Sequence, residues 1–117
     1  MTKNTKYIFT KKDAKHYTIP GGDCYLFPDS PTGRLSSALV DQVGRYPVKG
    51  YQVNDVCTES FLVLEGDLKF TINGKTKTMH PMDVAYIPPR SPYAIKGEGK
   101  VFVFIEPKWD PKQNHAS

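Results

Sequence analysis

The sequence contains only two cysteines, Cys24 and Cys57, among its 117 residues. Two cysteines are too few for the disulfide framework of a small secreted domain, and they lack the paired spacing of a structural zinc site. We therefore expect free thiols and a cytoplasmic location. No apolar run approaches the length that a bilayer requires, and the Lys- and Thr-rich start has no apolar core of a signal peptide. The sequence predicts no membrane partner.

Blocks of like charge are also missing, although the formal net charge is +4 and the pI is near 9.0. The lysines are dispersed along the chain, and the densest group is a basic arm that holds Lys3, Lys6, Lys11, Lys12 and Lys15. A nucleic-acid-binding surface would show a known motif or a basic stripe interleaved with aromatic residues, and neither is present. The charge pattern therefore indicates a solvated surface and no nucleic-acid partner.

What the chain does contain is typical of short strands joined by tight turns. Aromatic residues make up 12% of the sequence, alongside ten prolines and nine glycines. Leu68 to Ile72 alternates apolar and polar residues, Asn73-Gly74 is a type I′ hairpin signal, and Lys75 to Met79 forms the return strand. Val84 to Ile87 is a further strand that ends at a Pro-rich loop. The pattern predicts one all-β domain over residues 1–117, a sandwich or a barrel.

The remaining predicted strands are less regular. Tyr7 to Phe9 is β-prone, and the following Lys11 to Lys15 is one helical turn or a polar link. Strands are expected at Cys24 to Phe27 and Leu35 to Gln42. Near the end, Gly97-Glu98-Gly99 is expected to separate a strand at Tyr93 to Ile95 from one at Val101 to Ile105.

One stretch resembles a known family. The pattern Glu59-x-Phe61-x-Val63-x-Glu65-Gly66, followed by Asp83, Ile87-Pro88-Pro89 and Tyr93, is similar to the two motifs of a small single-domain cupin of the RmlC-like type. The resemblance implies a cupin-type double-stranded β-helix, also called a jelly-roll barrel. It divides the chain into an N-terminal arm (1–20), the cupin motifs (50–106) and a C-terminal tail (107–117) rich in Pro and containing Trp109.

The resemblance also locates the family's metal ligands. In metal-binding cupins the first motif supplies two histidines and a glutamate, and the second supplies a third histidine. These slots fall on Gln52, Asn54, Glu59 and Tyr93, and the chain's own histidines lie at none of them. Amide oxygens are weak donors for first-row metals, so no cofactor is expected. The alternative is a divalent metal held by Asn54, Glu59 and Tyr93.

The same positions are the candidate site residues. Strand parity places Glu59 on the face of Phe61 and Val63, where desolvation favours a general base; alternatively it belongs to a satisfied polar cluster with Tyr93 and Asn54. Tyr93 is the candidate acid, or a core aromatic. The predicted ligand-binding residues, each with a structural alternative, are Gln52, Asn54, Cys57 and Tyr86. Arg90 in the Pro-rich loop is a candidate contact for an anionic ligand.

These residues predict a protein that binds a small polar molecule, a sugar or a small carboxylate, in the barrel. Metal-independent isomerase or lyase chemistry is the first hypothesis. A metal-dependent oxygenase and a non-catalytic binding module are the alternatives, so the sequence leaves open whether the protein is an enzyme. Trp109 is expected to cap a barrel end or a subunit interface. The β-prone segment Tyr7 to Phe9 is expected to cover a sheet edge, either its own or that of a second copy, which favours a homodimer.

Overall fold

A computed structural model describes residues 6–117, and almost all of its regular structure is β. The described residues form ten strands and two short 3-10 helices, Lys11–Asp13 and Pro111–Gln113. The strands are β1 (Lys15–Ile19), β2 (Gly22–Leu26), β3 (Ser36–Tyr46), β4 (Gln52–Asn54), β5 (Thr58–Glu65), β6 (Leu68–Ile72), β7 (Lys75–Met79), β8 (Val84–Ile87), β9 (Tyr93–Glu106) and β10 (Asn114–Ala116). The predicted all-β class is confirmed.

Strand β9 organises the sheet, because it pairs with four other strands. It runs antiparallel to β3 from Ser36–Ile105 to Tyr46–Ile95, and its other edge pairs first with β6 and then with β5. Strand β4 joins β9 at Gln52–Tyr93, and β10 adds to β4. The hairpin of β1 and β2 extends the sheet beyond β3. This connectivity curls the sheet into the predicted jelly-roll barrel.

The core lies on the inner face of the curled sheet. In and just before β5, the alternation predicted from the sequence is confirmed: Cys57, Glu59, Phe61 and Val63 are 1%, 6%, 5% and 0% exposed. Phe70 from β6 packs edge-on against Phe61, with ring centroids 5.5 Å apart. The two-residue period of the strand thus places a carboxylate in a mainly apolar interior.

The predicted break at residues 97–99 is wrong, since β9 is continuous from Tyr93 to Glu106. The glycines permit a close approach of two backbones beside a bulge between Val63 and Glu65. A Cβ on Gly99 would lie 2.1 Å from the carbonyl oxygen of Glu65, and one on Gly66 would lie 2.2 Å from that of Glu98. These glycines therefore mark a place where two strands approach closely, and they do not mark the end of a strand.

The central hairpin agrees with its prediction. Strands β6 and β7 have the predicted bounds, and Asn73 and Gly74 between them adopt φ values of 50° and 79°. Two successive residues of positive φ define the type I′ turn that the Asn-Gly pair predicts. Strand β8 also begins and ends where it was expected.

The N-terminal arm differs from the prediction. Residues 6–10 form no strand, so the strand expected at Tyr7 to Phe9 is wrong, and Tyr7 and Ile8 are 76% and 79% exposed. The helical turn does form, and the Asp13 carboxylate accepts a 2.8 Å hydrogen bond from the Thr10 backbone. The edge position is taken instead by β1, which the sequence analysis missed. Lys3 lies outside the described residues.

In the part of the chain that the structure describes, neither helix has the length and apolar character needed to cross a membrane.

Candidate functional site

The curled sheet encloses a cavity of about 490 Å³. Its walls are mainly apolar side chains from β3, β5 and β9, such as Val40, Phe61 and Val103. Strand β1 contributes to its rim, and Trp109 and Pro111 from the C-terminal tail contribute another part of the lining. The polar side chains that reach the cavity are Tyr17, Thr18, Cys24, Gln42, Tyr46, Glu59 and Tyr93.

Glu59 is the carboxylate of this cavity. Its Oε1 accepts a 2.8 Å hydrogen bond from Nδ2 of Asn54. Burial raises the pKa of Glu59 above its ordinary value of 4.5, and hydrogen bonding with Tyr93 and Asn54 opposes this effect only in part. The result is a carboxylate that is more basic than an exposed one and faces a mainly apolar cavity.

Tyr93 and Tyr46 stand beside Glu59 with their rings 6.3 Å apart between centroids. Burial, together with the nearby Glu59 charge, raises the pKa of Tyr93 well above 10 and that of Tyr46 to about 12. Both hydroxyls therefore keep their protons at neutral pH. The role of Tyr93 as the acid stays a prediction.

The orientation of the Asn54 amide is fixed by the C-terminal tail. Oε1 of Gln113 accepts hydrogen bonds from the backbone N–H groups of Val56 (3.1 Å) and Cys57 (3.3 Å). Backbone N–H groups only donate, so the Gln113 amide must turn its Nε2 the other way, where it donates to Oδ1 of Asn54 at 3.0 Å. Nδ2 of Asn54 is then the atom that faces Glu59. Three side chains thus form one directed series that ends by stabilising the Glu59 carboxylate.

Replacing Gln113 by leucine is expected to raise the pKa of Glu59 further. The substitution removes one of the two donors that hold Oδ1 of Asn54, the other being Nδ2 of Asn114, and so loosens the amide whose hydrogen bond lowers the Glu59 pKa. It also leaves two backbone N–H groups without their acceptor, at a cost of about 1–3 kcal/mol in stability each. A 13C NMR titration of the Glu59 carboxyl measures the shift, with Lys112→Ala, an exposed change in the same turn, as the control. An unchanged Glu59 titration in Gln113→Leu would contradict the series.

The structure separates the predicted site residues into two groups. Glu59 and Tyr93 lie together in the cavity wall, whereas Asn54 lies behind Glu59 and Gln52 lies farther out, where its Nε2 donates to Asn114. Cys57 is buried, contacts Gln113 through its thiol at 3.4 Å, and has its pKa raised to about 11 by burial, which keeps it protonated.

Tyr86 is 70% exposed on the outer side of β8 and does not line the cavity. Ligand binding by Gln52, Asn54, Cys57 and Tyr86 stays a prediction.

Sequence reasoning missed Gln42, Tyr46 and Cys24, all of which line the cavity. Gln42 carried a usable signal, because it continues the inward alternation of Ala38 and Val40 along a strand that the sequence did predict. A polar residue at such a position is a candidate for ligand contact. Tyr46 lies beyond the predicted end of that strand, and Cys24 lies in the short β2, so neither could be assigned a face.

The residues at the family's metal slots do not fit a divalent metal. Oδ1 of Asn54 already accepts two hydrogen bonds, from Gln113 and from Asn114 at 2.7 Å, and the Tyr93 phenol stays protonated. That leaves Glu59 as a single anionic donor. Within residues 6–117 no three His, Cys, Asp or Glu side chains converge to hold a metal, and each histidine lies on the surface within 2.9 Å of an aspartate.

Several solved structures share this fold. Pac13, a nucleoside dehydratase from Streptomyces, superposes with a TM-score of 0.85 at 17% identity, and the match covers 97% of this chain and 92% of that one. A Pac13 variant with uridine gives 0.86 at 18% identity and the same coverage. KdgF from Halomonas sp. gives 0.73 at 16% identity, covering 92% and 99%. At these identities the similarity establishes the fold alone.

No curated protein sequence matches the chain significantly. The Cupin domain family, however, matches residues 48–106, about half of the chain, which is the segment that carries Glu59, the β6–β7 hairpin and Tyr93. Together with the jelly-roll barrel and its cavity, this match shows that the chain belongs to the Cupin domain family.

Proposed function

We propose that this cupin binds a small sugar-containing molecule in its cavity and acts on it by metal-independent acid–base chemistry of the isomerase or lyase type. The observation that carries the proposal is the position of Glu59, a buried carboxyl on an apolar cavity wall with a raised pKa. Such a group is suited to removing a proton from carbon near neutral pH. The similarity in fold to a nucleoside dehydratase supports a sugar-containing ligand.

In the first step the Glu59 carboxylate takes a proton from a carbon adjacent to the aldehyde or ketone group of the substrate. The electron pair of the C–H bond moves toward the carbonyl oxygen, which becomes negatively charged. Tyr93 retains its proton and hydrogen-bonds the Glu59 carboxylate; once Glu59 has taken up the substrate proton, the Tyr93 hydroxyl turns to donate a hydrogen bond to that oxygen. The hydroxyl of Tyr46, hydrogen-bonded to Tyr93, supports its orientation.

In the second step the protonated Glu59 returns the proton. Delivery to a neighbouring hydroxyl breaks the C–O bond, releases water and leaves a double bond, which is a lyase reaction. Delivery to the former carbonyl carbon gives an isomer instead: the proton of the adjacent hydroxyl passes to the oxyanion, and the carbon that carried this hydroxyl becomes the new carbonyl carbon. Because Glu59 is the one carboxyl among the described residues that line the cavity, the same group takes and returns the proton on one face of the substrate.

Exchange of substrate hydrogen with solvent deuterium tests this proposal directly. Neutral nucleosides and sugars that carry an aldehyde or ketone are incubated with the protein in D₂O and followed by 1H NMR. Loss of the signal from the hydrogen next to the carbonyl, at a rate above that in buffer, is the expected result. Binding detected by thermal shift without any exchange would favour the non-catalytic binding module.

The stability of the protein should depend on pH through Glu59 in a defined direction. The folded protein holds the Glu59 proton at pH values where the unfolded chain, with a pKa near 4.5, has released it. Because the folded state then binds more protons, stability falls as pH rises through the folded-state pKa.

In Glu59→Gln this dependence is absent. The variant and the natural protein should therefore melt alike below pH 4.5. Its advantage in thermal midpoint should grow as pH rises and then level off. A free-energy difference of about 1 kcal/mol would appear as a shift of roughly 4 °C. A difference that does not change with pH would contradict the raised pKa.

A homodimer and a cytoplasmic location belong to the same proposal. The exposed edge strand β1 is a surface that a second copy would cover, and the two free thiols suit a reducing compartment.

A further inference from the structure

We infer that the cavity selects an uncharged ligand that donates a hydrogen bond to Gln42, such as a nucleoside or a neutral glycoside, and rejects carboxylates and phosphates. This inference rests on the proposed function, because it concerns the same cavity. It replaces the broader sequence-based expectation of a sugar or a small carboxylate with the sugar alone.

The charge of the cavity lining is the evidence that anions are rejected. Among the described residues that line the cavity there is no lysine, arginine or histidine, and Glu59 is the one acid. Arg90, the sequence-based candidate for binding an anion, is exposed and lies outside the lining. An anion that entered would lose its hydration without gaining a cation and would meet the Glu59 carboxylate.

The orientation of the Gln42 amide is the evidence that the ligand donates a hydrogen bond to this residue. The residue is 2% exposed, and its Nε2 donates to the carbonyl oxygens of Gly44 at 3.1 Å and Ile95 at 3.3 Å. Carbonyl oxygens only accept hydrogen bonds, so the amide nitrogen must face them and the amide oxygen must face away. The side-chain hydrogen bonds that Gln42 forms with other described residues both involve Nε2, which leaves Oε1 free for a ligand, and the side chain lines the cavity. Oε1 of Gln42 is therefore an acceptor that can take a hydrogen bond from a ligand.

The polar groups of the cavity together form a pattern that hydroxyl and N–H groups satisfy. Gln42 and Glu59 accept hydrogen bonds, the Tyr46 and Tyr93 hydroxyls can donate or accept them, and the apolar wall contacts a carbon skeleton. A neutral sugar with both donor and acceptor oxygens can pair with all four without introducing a charge.

Matched neutral and anionic compounds test the inference. Uridine is compared with its 5′-carboxylate, and methyl β-glucoside with methyl β-glucuronide, each by isothermal titration calorimetry. Within each pair one CH₂OH group becomes a carboxylate of similar size. At least one neutral member is expected to bind, on the order of 100-fold more tightly than its anionic partner.

Two variants sharpen the comparison. Gln42→Leu should weaken the neutral ligand about tenfold without improving the anionic one, since it removes one hydrogen bond to the ligand. It also removes the two hydrogen bonds to Gly44 and Ile95, so a melting curve must first show that the variant is folded. Thr18→Lys changes an exposed residue of the rim and leaves the core intact, so it should fold normally. By supplying a cation, it should strengthen binding of the carboxylate at least tenfold.

Equal affinity within both pairs would overturn the inference, as would the absence of binding by all four compounds. Failure of this inference can be distinguished from failure of the proposed function. Neutral binding without deuterium exchange in any aldehyde or ketone tested supports the ligand class and contradicts catalysis. Deuterium exchange in anionic substrates alone supports catalysis and contradicts the ligand class.

Discussion

Replacing Glu59 by glutamine is expected to lower turnover by about 100- to 10,000-fold while the protein stays folded. Glutamine has nearly the same shape, and its Oε1 still accepts the hydrogen bond from Nδ2 of Asn54. What it loses is the ability to take a proton. The deuterium-exchange rate of the variant, measured on a substrate of the natural protein, reports this loss separately from binding, which calorimetry follows.

Glu65→Gln is the matched control for this change. Glu65 belongs to the same strand β5 but is exposed and lies outside the cavity, so its replacement should leave the exchange rate unchanged. Exchange that persists at the natural rate in Glu59→Gln would show that another group carries the proton. Tight binding with no exchange in that variant is the result that supports Glu59 as the base.

The second large effect concerns folding. Gly66→Ala is expected to destabilise the protein by clearly more than Gly74→Ala, although the two glycines have nearly equal φ values of 83° and 79°. Alanine at either position carries the cost of left-handed backbone, about 1–2 kcal/mol. At Gly66 the new Cβ would also lie 2.2 Å from the Glu98 carbonyl oxygen, whereas at Gly74 nothing lies within 4 Å. Displacing that backbone adds roughly 1–3 kcal/mol.

Urea unfolding of the two variants, followed by far-UV circular dichroism, measures the difference. The comparison isolates the close approach of β5 and β9, because the backbone strain is common to both changes. Equal losses of stability would show that the contact between these strands is dispensable. An unfolded Gly66→Ala beside a folded Gly74→Ala is consistent with the expected order.

The second half of the chain was predictable because its signals are local. The Asn73-Gly74 turn fixes the β6–β7 hairpin by backbone geometry, and strand period alone places Glu59 inside. The glycines at 97 and 99 misled the prediction because their role depends on residues 65 to 68, which approach them only in the folded sheet. A local pattern carries no information on such a contact.

The candidate site was predictable only in part for the same reason. Glu59 and Tyr93 could be located through motif position, and both line the cavity. The series from Gln113 through Asn54 joins residues 59 positions apart in the chain, and no sequence spacing indicates it. Tertiary pairing of β10 with β4 is what brings the tail to the site.

The cavity is assembled from more of the chain than the family segment. Residues 48–106 supply Glu59 and Tyr93, but more than half of the lining residues come from β1, β2, β3 and the tail. Variation among relatives in those outer segments would change the ligand while leaving the recognisable motifs intact. Two cupins with the same motif can therefore differ in substrate. The residues that determine which ligand is bound should be sought in segments 17–46 and 109–113.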